Sequence, residues 1–252
     1  MYNLCRFIWN YGKLFYKLNG LYNEYETNNT INTPECHLLI DNIQENIITC
    51  GSICIKFTQW LLPILDNIYI KQCDKPYWFI SLENLYENCP THSNQYSTEI
   101  YYNEFKENFD DDYKIVDTIG SGSIGQVYKI SNIHTEEYFA FKIIHPNVKQ
   151  DLHLFKKILK LCLWIPCIRK KLYELVPVNY YQFIENFEEQ IDMRQESNNL
   201  LRSSYNYKDN KAIIIPQLIK CSESCIIMTY EEGTIMDSMD ISGYQKTKII
   251  SL

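Results

Sequence analysis

The chain has 252 residues, of which 46% are hydrophobic, and a formal charge of −7. That length and apolar content allow one or two domains with a buried core and exclude a disordered chain. The acidic balance, without a dense basic tract, argues against a nucleic-acid partner.

Ten cysteines and five histidines raise the question of a metal or disulfide framework. No two cysteines have C-x-x-C spacing; Cys50/Cys54 and Cys221/Cys225 stand four apart, and Cys162/Cys167 five apart. The histidines do not pair with them at zinc-site spacing, so buried thiols in a reducing, intracellular compartment are expected, with no metal site. No run of about 18 apolar residues predicts a membrane span, and no secretory signal pattern is present.

Residues 1–21 carry Leu4, Phe7, Ile8, Tyr11, Leu14, Phe15 and Leu18 at helical spacing, with Arg6, Lys13 and Lys17 beside them and no acid before Glu24. A basic amphipathic helix of this kind can dock on the rest of the chain, lie on an anionic membrane surface or address an organelle. Residues 22–34 are polar and predict a loop. A second helix is expected over 35–62, with Ile40, Ile43, Ile47, Cys50 and Cys54 on its apolar face, stopped by Pro63. Lys56 and Gln59 fall one turn apart on it and share a face. Residues 64–90 read as short helices and turns, and 96–109 as another helix. Asp110-Asp111-Asp112 marks the change to strands.

From Tyr113 to Ile144 the pattern is β. The run Gly120-Ser121-Gly122-Ser123-Ile124-Gly125-Gln126-Val127 has G-x-G-x-x-G spacing, and Tyr138-Phe139-Ala140-Phe141-Lys142-Ile143-Ile144 places one lysine in an apolar strand. A helix follows Pro146 and Asn147, carrying Leu152, Phe155, Ile158, Leu159 and Leu163 until Pro166; Arg169-Lys170-Lys171 reads as a solvated turn. Pro177 precedes one long helix over 180–204, with Glu189, Asp192 and Glu196 at i, i+3, i+7 on an acidic face. Strands are expected at 211–218 and 224–230, then a turn at Glu231-Glu232-Gly233.

Glycines between two strands let a backbone approach phosphates, because no Cβ intervenes and several N–H groups can point at one anion. The dinucleotide-binding alternative has the same spacing, but there the third glycine opens a helix. Here Gln126-Val127-Tyr128-Lys129-Ile130 continues as a strand. A lysine in an apolar strand is costly unless paired, with Glu196 and Asp192 as candidates; an edge lysine snorkelling to solvent is the alternative.

Taken together these residues resemble the UbiB/AarF-domain atypical kinase-like family, whose studied members support coenzyme Q and related isoprenoid-lipid metabolism. Gly120–Tyr128, then Phe139-Ala140-Phe141-Lys142, then His145-Pro146-Asn147-Val148 are similar to its nucleotide loop, Ala-x-Lys strand and H-P-G-V continuation. Asp192-Met193-Arg194-Gln195-Glu196-Ser197-Asn198-Asn199 resembles its D-x-R-x-E-A-x-N helix, with Gln190 where a Glu is usual. Ile55-Lys56-Phe57-Thr58-Gln59-Trp60 resembles its K-x-G-Q signature, Thr58 replacing the glycine; Asn84-Leu85-Tyr86-Glu87-Asn88-Cys89-Pro90 resembles the next family segment, and Met228–Gly233 the approach to the interlobe hinge, Thr229 replacing a Glu.

The resemblance implies an α+β fold: a protein-kinase-like N-lobe, a small antiparallel sheet with inserted helices, preceded by a helical extension. Residues 1–34 would form the basic helix and linker, 35–109 the extension, and 110–252 the lobe. It implies that Gly120, Ser121, Gly122, Ser123, Gly125 and Val127 cover the phosphates of ATP, that Lys142 holds them and that Glu196 holds Lys142. Lys56, Gln59 and Asp192 take regulatory positions, the helix of Lys56 and Gln59 folding over the nucleotide pocket. The implied role is ATP-dependent phosphoryl transfer or ATP hydrolysis linked to quinone or lipid metabolism.

Kinase-type transfer also uses a catalytic Asp and a second Asp on Mg²⁺. Neither an H-x-D-x-H-P-G-N-like loop nor a D-F-G is found; Gly243 sits in Ile241-Ser242-Gly243-Tyr244. The C-lobe is therefore expected to be absent, together with the Mg²⁺ ligands and any catalytic residue of this chain. Two further readings are a non-catalytic interaction lobe and a remnant of a split gene. An uncovered interlobe face predicts an oligomer or a partner chain over it.

Overall fold

The computed structural model describes residues 2–233 apart from 29, 31, 67–74, 87–88 and 176–177. Pro177, Glu87-Asn88 and the run Ile241–Tyr244 lie outside the described residues. In chain order the helices are α1 (Tyr2–Asn28), α2 (Pro34–Cys50), α3 (Ser52–Leu65), α4 (Tyr77–Glu83), followed by a 3-10 turn at Asn84–Tyr86, then α5 (Asn94–Phe105) and α6 (Phe109–Asp112). Strands β1 (Tyr113–Ser121), β2 (Gly125–Asn132) and β3 (Tyr138–Ile144) follow, then α7 (Val148–Trp164), α8 (Pro166–Leu175), α9 (Tyr180–Gln190) and α10 (Met193–Tyr207), and finally β4 (Leu218–Cys221) and β5 (Cys225–Thr229). The five strands form one small antiparallel sheet in the order β1-β2-β3-β5-β4, the α+β arrangement expected from the sequence.

The chain divides into two compact units that interleave in sequence. The first takes Met1–Ser97, Ile119–Val127 and Ile143–Ile191, and the second Thr98–Thr118, Tyr128–Lys142 and Asp192–Leu252. The core of the first unit joins Leu14 of α1 to Ile43, Ile47 and Cys50 of α2, Cys54 and Ile55 of α3, and Leu85. A second patch is aromatic: Phe57 and Trp60 of α3 pack on Phe183 of α9 at ring separations of 5.1 and 5.3 Å. In the second unit Tyr101, Phe109, Tyr128 and Phe141 are 0–1% exposed, with Tyr101 edge-on to Phe109 at 5.3 Å.

Several boundaries differ from the sequence reading. Residues 22–28 are helical, not a loop, because i, i+4 side-chain links extend α1: Tyr22 donates to Glu26 at 2.5 Å and Asn28 to Glu24 at 3.0 Å. The expected helix over 35–62 breaks at Gly51, whose φ of 93° is one that side-chain-bearing residues rarely adopt. Pro63 lies inside α3 and does not stop it. Proline supplies no N–H to the Gln59 carbonyl one turn back, and the Tyr86 hydroxyl donates to that oxygen instead, at 2.7 Å.

The expected helix over 180–204 is two helices. Asp192 adopts an extended backbone and caps α10, accepting from the Arg194 N–H at 3.0 Å. Glu189, Asp192 and Glu196 therefore share no continuous helix face. Arg169-Lys170-Lys171 is helical within α8, not a turn. Residues 211–217 are not a strand; Pro216 cannot donate to a ladder, and pairing starts at Leu218 opposite Met228.

One ion pair fixes α1 to α7. The Arg6 guanidinium donates from one nitrogen to both oxygens of Asp151, at 3.0 and 3.2 Å, and Asp151 is 5% exposed. Burial pushes the Asp151 carboxyl up, opposed by the Arg6 charge. Arg6→Met leaves that carboxylate unpaired and is expected to cost about 2 kcal/mol at pH 7, a figure reduced for the part-exposed arginine. With Arg6 gone the folded-state pKa rises further above the unfolded one. The loss is then present above that folded pKa and shrinks as pH falls into the carboxylate range. Urea melts at neutral and acidic pH check this, and Asp151→Asn on the same background should restore most of the stability.

Candidate functional site

Gly120 and Ser121 end β1 and Gly125 opens β2, so the glycine run is a strand–loop–strand hairpin tip and no helix begins at its third glycine. That geometry excludes the dinucleotide-binding arrangement. The Gly122 N–H donates to the Gly125 carbonyl at 2.9 Å, closing the tip. A Cβ on Gly125 would stand 2.4 Å from the Ile143 carbonyl oxygen, so close approach of two backbones demands glycine there. At Gly120 nothing lies within 4 Å of the Cβ position, and at Gly122 only the Gly125 oxygen, at 3.8 Å. These two glycines leave open space beside the backbone, which suits the approach of a phosphate group.

Both serines of the tip are held from elsewhere in the first unit. The Ser121 hydroxyl donates to the Pro90 carbonyl at 2.8 Å, and the Ser123 hydroxyl to Gln59 Oε1 at 3.0 Å. The same Gln59 amide donates from Nε2 to the Leu85 carbonyl at 2.6 Å, so one side chain on α3 bridges the 3-10 turn to the glycine tip. Gln59 and the loop, far apart in sequence, are thus brought together. Thr58, at the glycine position of the family signature, is buried and its hydroxyl donates to the Cys54 carbonyl at 3.0 Å, an i−4 bond that a glycine could not make. Lys56 is half-buried one turn before Gln59. Its ammonium opposes the burial that pushes the Cys89 thiol up. Val127 is half-buried in β2.

A histidine pair stands beside the glycine tip in this unit. His92 and His145 face each other Nδ1 to Nδ1 at 2.8 Å. His145 Nε2 lies 2.9 Å from the Gly122 carbonyl, which can only accept, so that nitrogen carries the proton and His145 Nδ1 is an acceptor. His92 must then donate from Nδ1, leaving its Nε2 to accept from the Ser97 hydroxyl at 3.0 Å. Every proton is placed with both rings neutral. The His92 N–H also donates to the buried Gln126 Oε1 at 2.8 Å, and the His145 N–H to the Ile124 carbonyl at 2.8 Å. In the sequence His145 stands only within a family motif, Gln126 only within the glycine run and its strand, and His92 in no motif; a partner 53 residues away leaves no local spacing signal.

Burial, with a smaller contribution from His145, lowers the His92 pKa to about 4, and burial lowers that of His145. The unfolded rings protonate near 6.5 and the folded rings do not. The pair's contribution to stability is therefore full above that value and is lost as pH falls from about 6.5 toward 4. With allowance for partial exposure, the drop across that window is expected to be about 1–2 kcal/mol. Chemical denaturation of the His92→Gln variant should show a flatter pH profile over the window.

In the second unit the β3 lysine has the partner that its setting requires. Lys142 Nζ lies 2.6 Å from Glu196 Oε2 on α10, both side chains part-exposed. The snorkelling alternative for Lys142 is thereby set aside. Asp192 is engaged by Arg194, whose Nε and Nη2 lie 2.7–3.1 Å from its oxygens. Thr229, where the family often has Glu, accepts from the Gln217 N–H at 2.9 Å and donates to Glu231 at 2.8 Å, tying the approach to the hinge to the end of β5. Among the described residues no cluster of metal-ligating side chains is found.

A lysine strand paired to a helix glutamate, a glycine hairpin and a preceding helical extension define the N-lobe of an atypical kinase. The model of the ABC1 atypical kinase-like domain matches residues 84–252, and the chain belongs to that family. It is 27% identical over 190 residues to a Saccharomyces cerevisiae protein named as a mitochondrial ABC1 family protein, covering 66% of this chain and 27% of that one. The chain thus spans about a quarter of that relative's length. A solved structure from Mycobacterium tuberculosis, described as the complex of Rv3197 with erythromycin, is 19% identical with a TM-score of 0.47, over 59% of this chain and 38% of that one.

Proposed function

We propose that this chain binds ATP through its kinase-like lobe, with Gly120–Gly125 on the phosphates and Lys142, held by Glu196, as the phosphate-binding cation. The Lys142–Glu196 pair at 2.6 Å carries the reading, because a lysine ion-paired from a helix is the device by which kinases set a nucleotide's phosphates. The open Cβ positions of Gly120 and Gly122 support it. Mg²⁺ would accompany the nucleotide, held by the phosphates and by acids other than those described. Phosphoryl transfer or ATP hydrolysis in quinone or lipid metabolism is the wider role that the UbiB/AarF resemblance suggests, and the mitochondrial relative supports an organelle location.

By itself the chain is expected to hold nucleotide without turning it over. Isothermal titration with MgATP should give saturable binding, at least tenfold weaker in Lys142→Ala and weakened less in Glu196→Gln. Absence of binding to the unmodified chain would favour a non-catalytic interaction lobe, a reading to which the engaged Ser121 and Ser123 hydroxyls lend some weight. ATP turnover that disappears in Lys142→Ala would contradict the inactive reading.

A further inference from the structure

One buried residue of the first unit grips the glycine tip at two carbonyls. His145 donates from ring Nε2 to the Gly122 carbonyl at 2.9 Å and from its backbone N–H to the Ile124 carbonyl at 2.8 Å. A trans peptide unit points its C=O and N–H in opposite directions, and no peptide bond among the described residues is cis. His145 therefore sets the Gly122–Ser123 and Ile124–Gly125 peptide planes, with the Ser123 and Gly125 N–H groups turned away from it. Among the described residues the Ser123 N–H meets no acceptor. Gly122 is where such a plane can turn. The nearest atom to its Cβ position is the Gly125 oxygen at 3.8 Å, so rotation meets little steric resistance. A turned plane would present the carbonyl oxygen, the negative end of the peptide dipole, where the N–H now stands.

The ring can hold Gly122 in one tautomer only, with its proton on Nε2. The other tautomer would set a lone pair against the carbonyl oxygen. The Ser121 oxygen, 3.5 Å from the same nitrogen, gives its proton to Pro90 and can only accept from the ring. His92 selects the tautomer by donating from Nδ1 to His145 Nδ1 at 2.8 Å. The His92 ring is itself held by the fully buried Ser97 hydroxyl at 3.0 Å on Nε2, and by the Tyr96 ring edge-on at 4.9 Å.

We infer that His145, oriented by His92, is a positioning residue for phosphate: it turns the Gly122 carbonyl away from a nucleoside triphosphate and presents the Ser123 N–H to it. The role rests on nucleotide binding at the glycine tip. Backbone N–H groups aimed at one anion form such a cradle only while the peptide planes keep their direction. A packing role would be filled by any side chain of similar size, whereas this one requires a donor at the Nε2 position.

Two near-isosteric variants separate these roles. Glutamine places its amide nitrogen where Nε2 stands and still donates to Gly122. Asparagine places its amide where Nδ1 stands, so it accepts from His92 but does not reach the carbonyl. His145→Asn should weaken MgATP binding by about tenfold or more in isothermal titration, and His145→Gln by no more than about threefold, with similar stabilities in urea melts. Nitrogen NMR of the parent should find the proton of His145 on Nε2 and that of His92 on Nδ1. In His92→Gln the His145 tautomers should mix and binding should weaken about threefold. Equal weakening by the two His145 variants in step with their stability, or an Nδ1–H tautomer of His145 in the parent, would overturn the inference. If both His145 variants unfold, the tautomer spectrum and His92→Gln decide it. Parent binding that none of the three variants moves overturns the inference alone, whereas a parent chain that binds no MgATP overturns the nucleotide reading and this role with it.

Discussion

Replacing Gly125 by alanine is expected to destabilise the chain by about 2–4 kcal/mol, among the larger effects of a single added methyl group. The new Cβ would fall 2.4 Å from the Ile143 carbonyl oxygen and 3.1 Å from its carbon. Both are backbone atoms at the end of β3, so no flexible side chain can move aside. Relief requires β2 to separate from β3 at the point where the His145 N–H reaches Ile124. Gly120→Ala is the matched control. Nothing lies within 4 Å of its Cβ position, and its stability should stay within about 0.5 kcal/mol of the parent. The two variants separate the reasons for these glycines: Gly125 permits packing, and Gly120, on the proposed nucleotide site, would leave room for the phosphates. Gly120→Ala should therefore weaken nucleotide binding without unfolding anything, while urea melts report the loss in Gly125→Ala.

The second large effect is expected at Gln59. Its amide is the clasp between α3, the Leu85 carbonyl and the Ser123 hydroxyl. Gln59→Ala leaves Ser123, 6% exposed, without its acceptor and the Leu85 carbonyl without that donor. The cost should be about 1–2 kcal/mol, the usual range for buried polar groups that lose a partner. Freed of the clasp, the glycine tip should exchange its amide hydrogens faster at residues 119–127. If the helical extension restrains the loop, the variant should also bind MgATP about tenfold more tightly than the parent. Gln59→Glu separates the two effects: its carboxylate still accepts from Ser123 but offers no donor to Leu85. It should retain loop protection better than alanine does.

Strand β4 was expected too early in the chain, but strands β1, β2, β3 and β5, the glycine hairpin and the lysine–glutamate pair were legible in the sequence because each rests on local signals: alternation around Gly120–Val127, one lysine in an apolar strand, and a helix carrying acids. The breaks at Gly51 and Asp192 were not. A helical apolar pattern continues through Cys50 and Cys54, and only the backbone angle forced at Gly51 interrupts it. The spacing of Glu189, Asp192 and Glu196 reads as one helix face, and only the backbone turn at Ile191 makes Asp192 the cap of a second helix. Pro63 misled because a proline usually ends a helix, whereas Tyr86, 27 residues on from Gln59, meets the carbonyl that Pro63 leaves without a donor. The His92–His145 contact lies beyond any sequence periodicity. It follows from how the chain after Pro90 returns to the glycine tip.

Nucleotide binding at the glycine hairpin is tested most directly by hydrogen exchange of the intact chain with and without saturating MgATP. Slower exchange at residues 119–127, absent in Lys142→Ala, is the expected result. Unchanged exchange at that hairpin in the unmodified chain, at nucleotide concentrations up to the millimolar range, would contradict it.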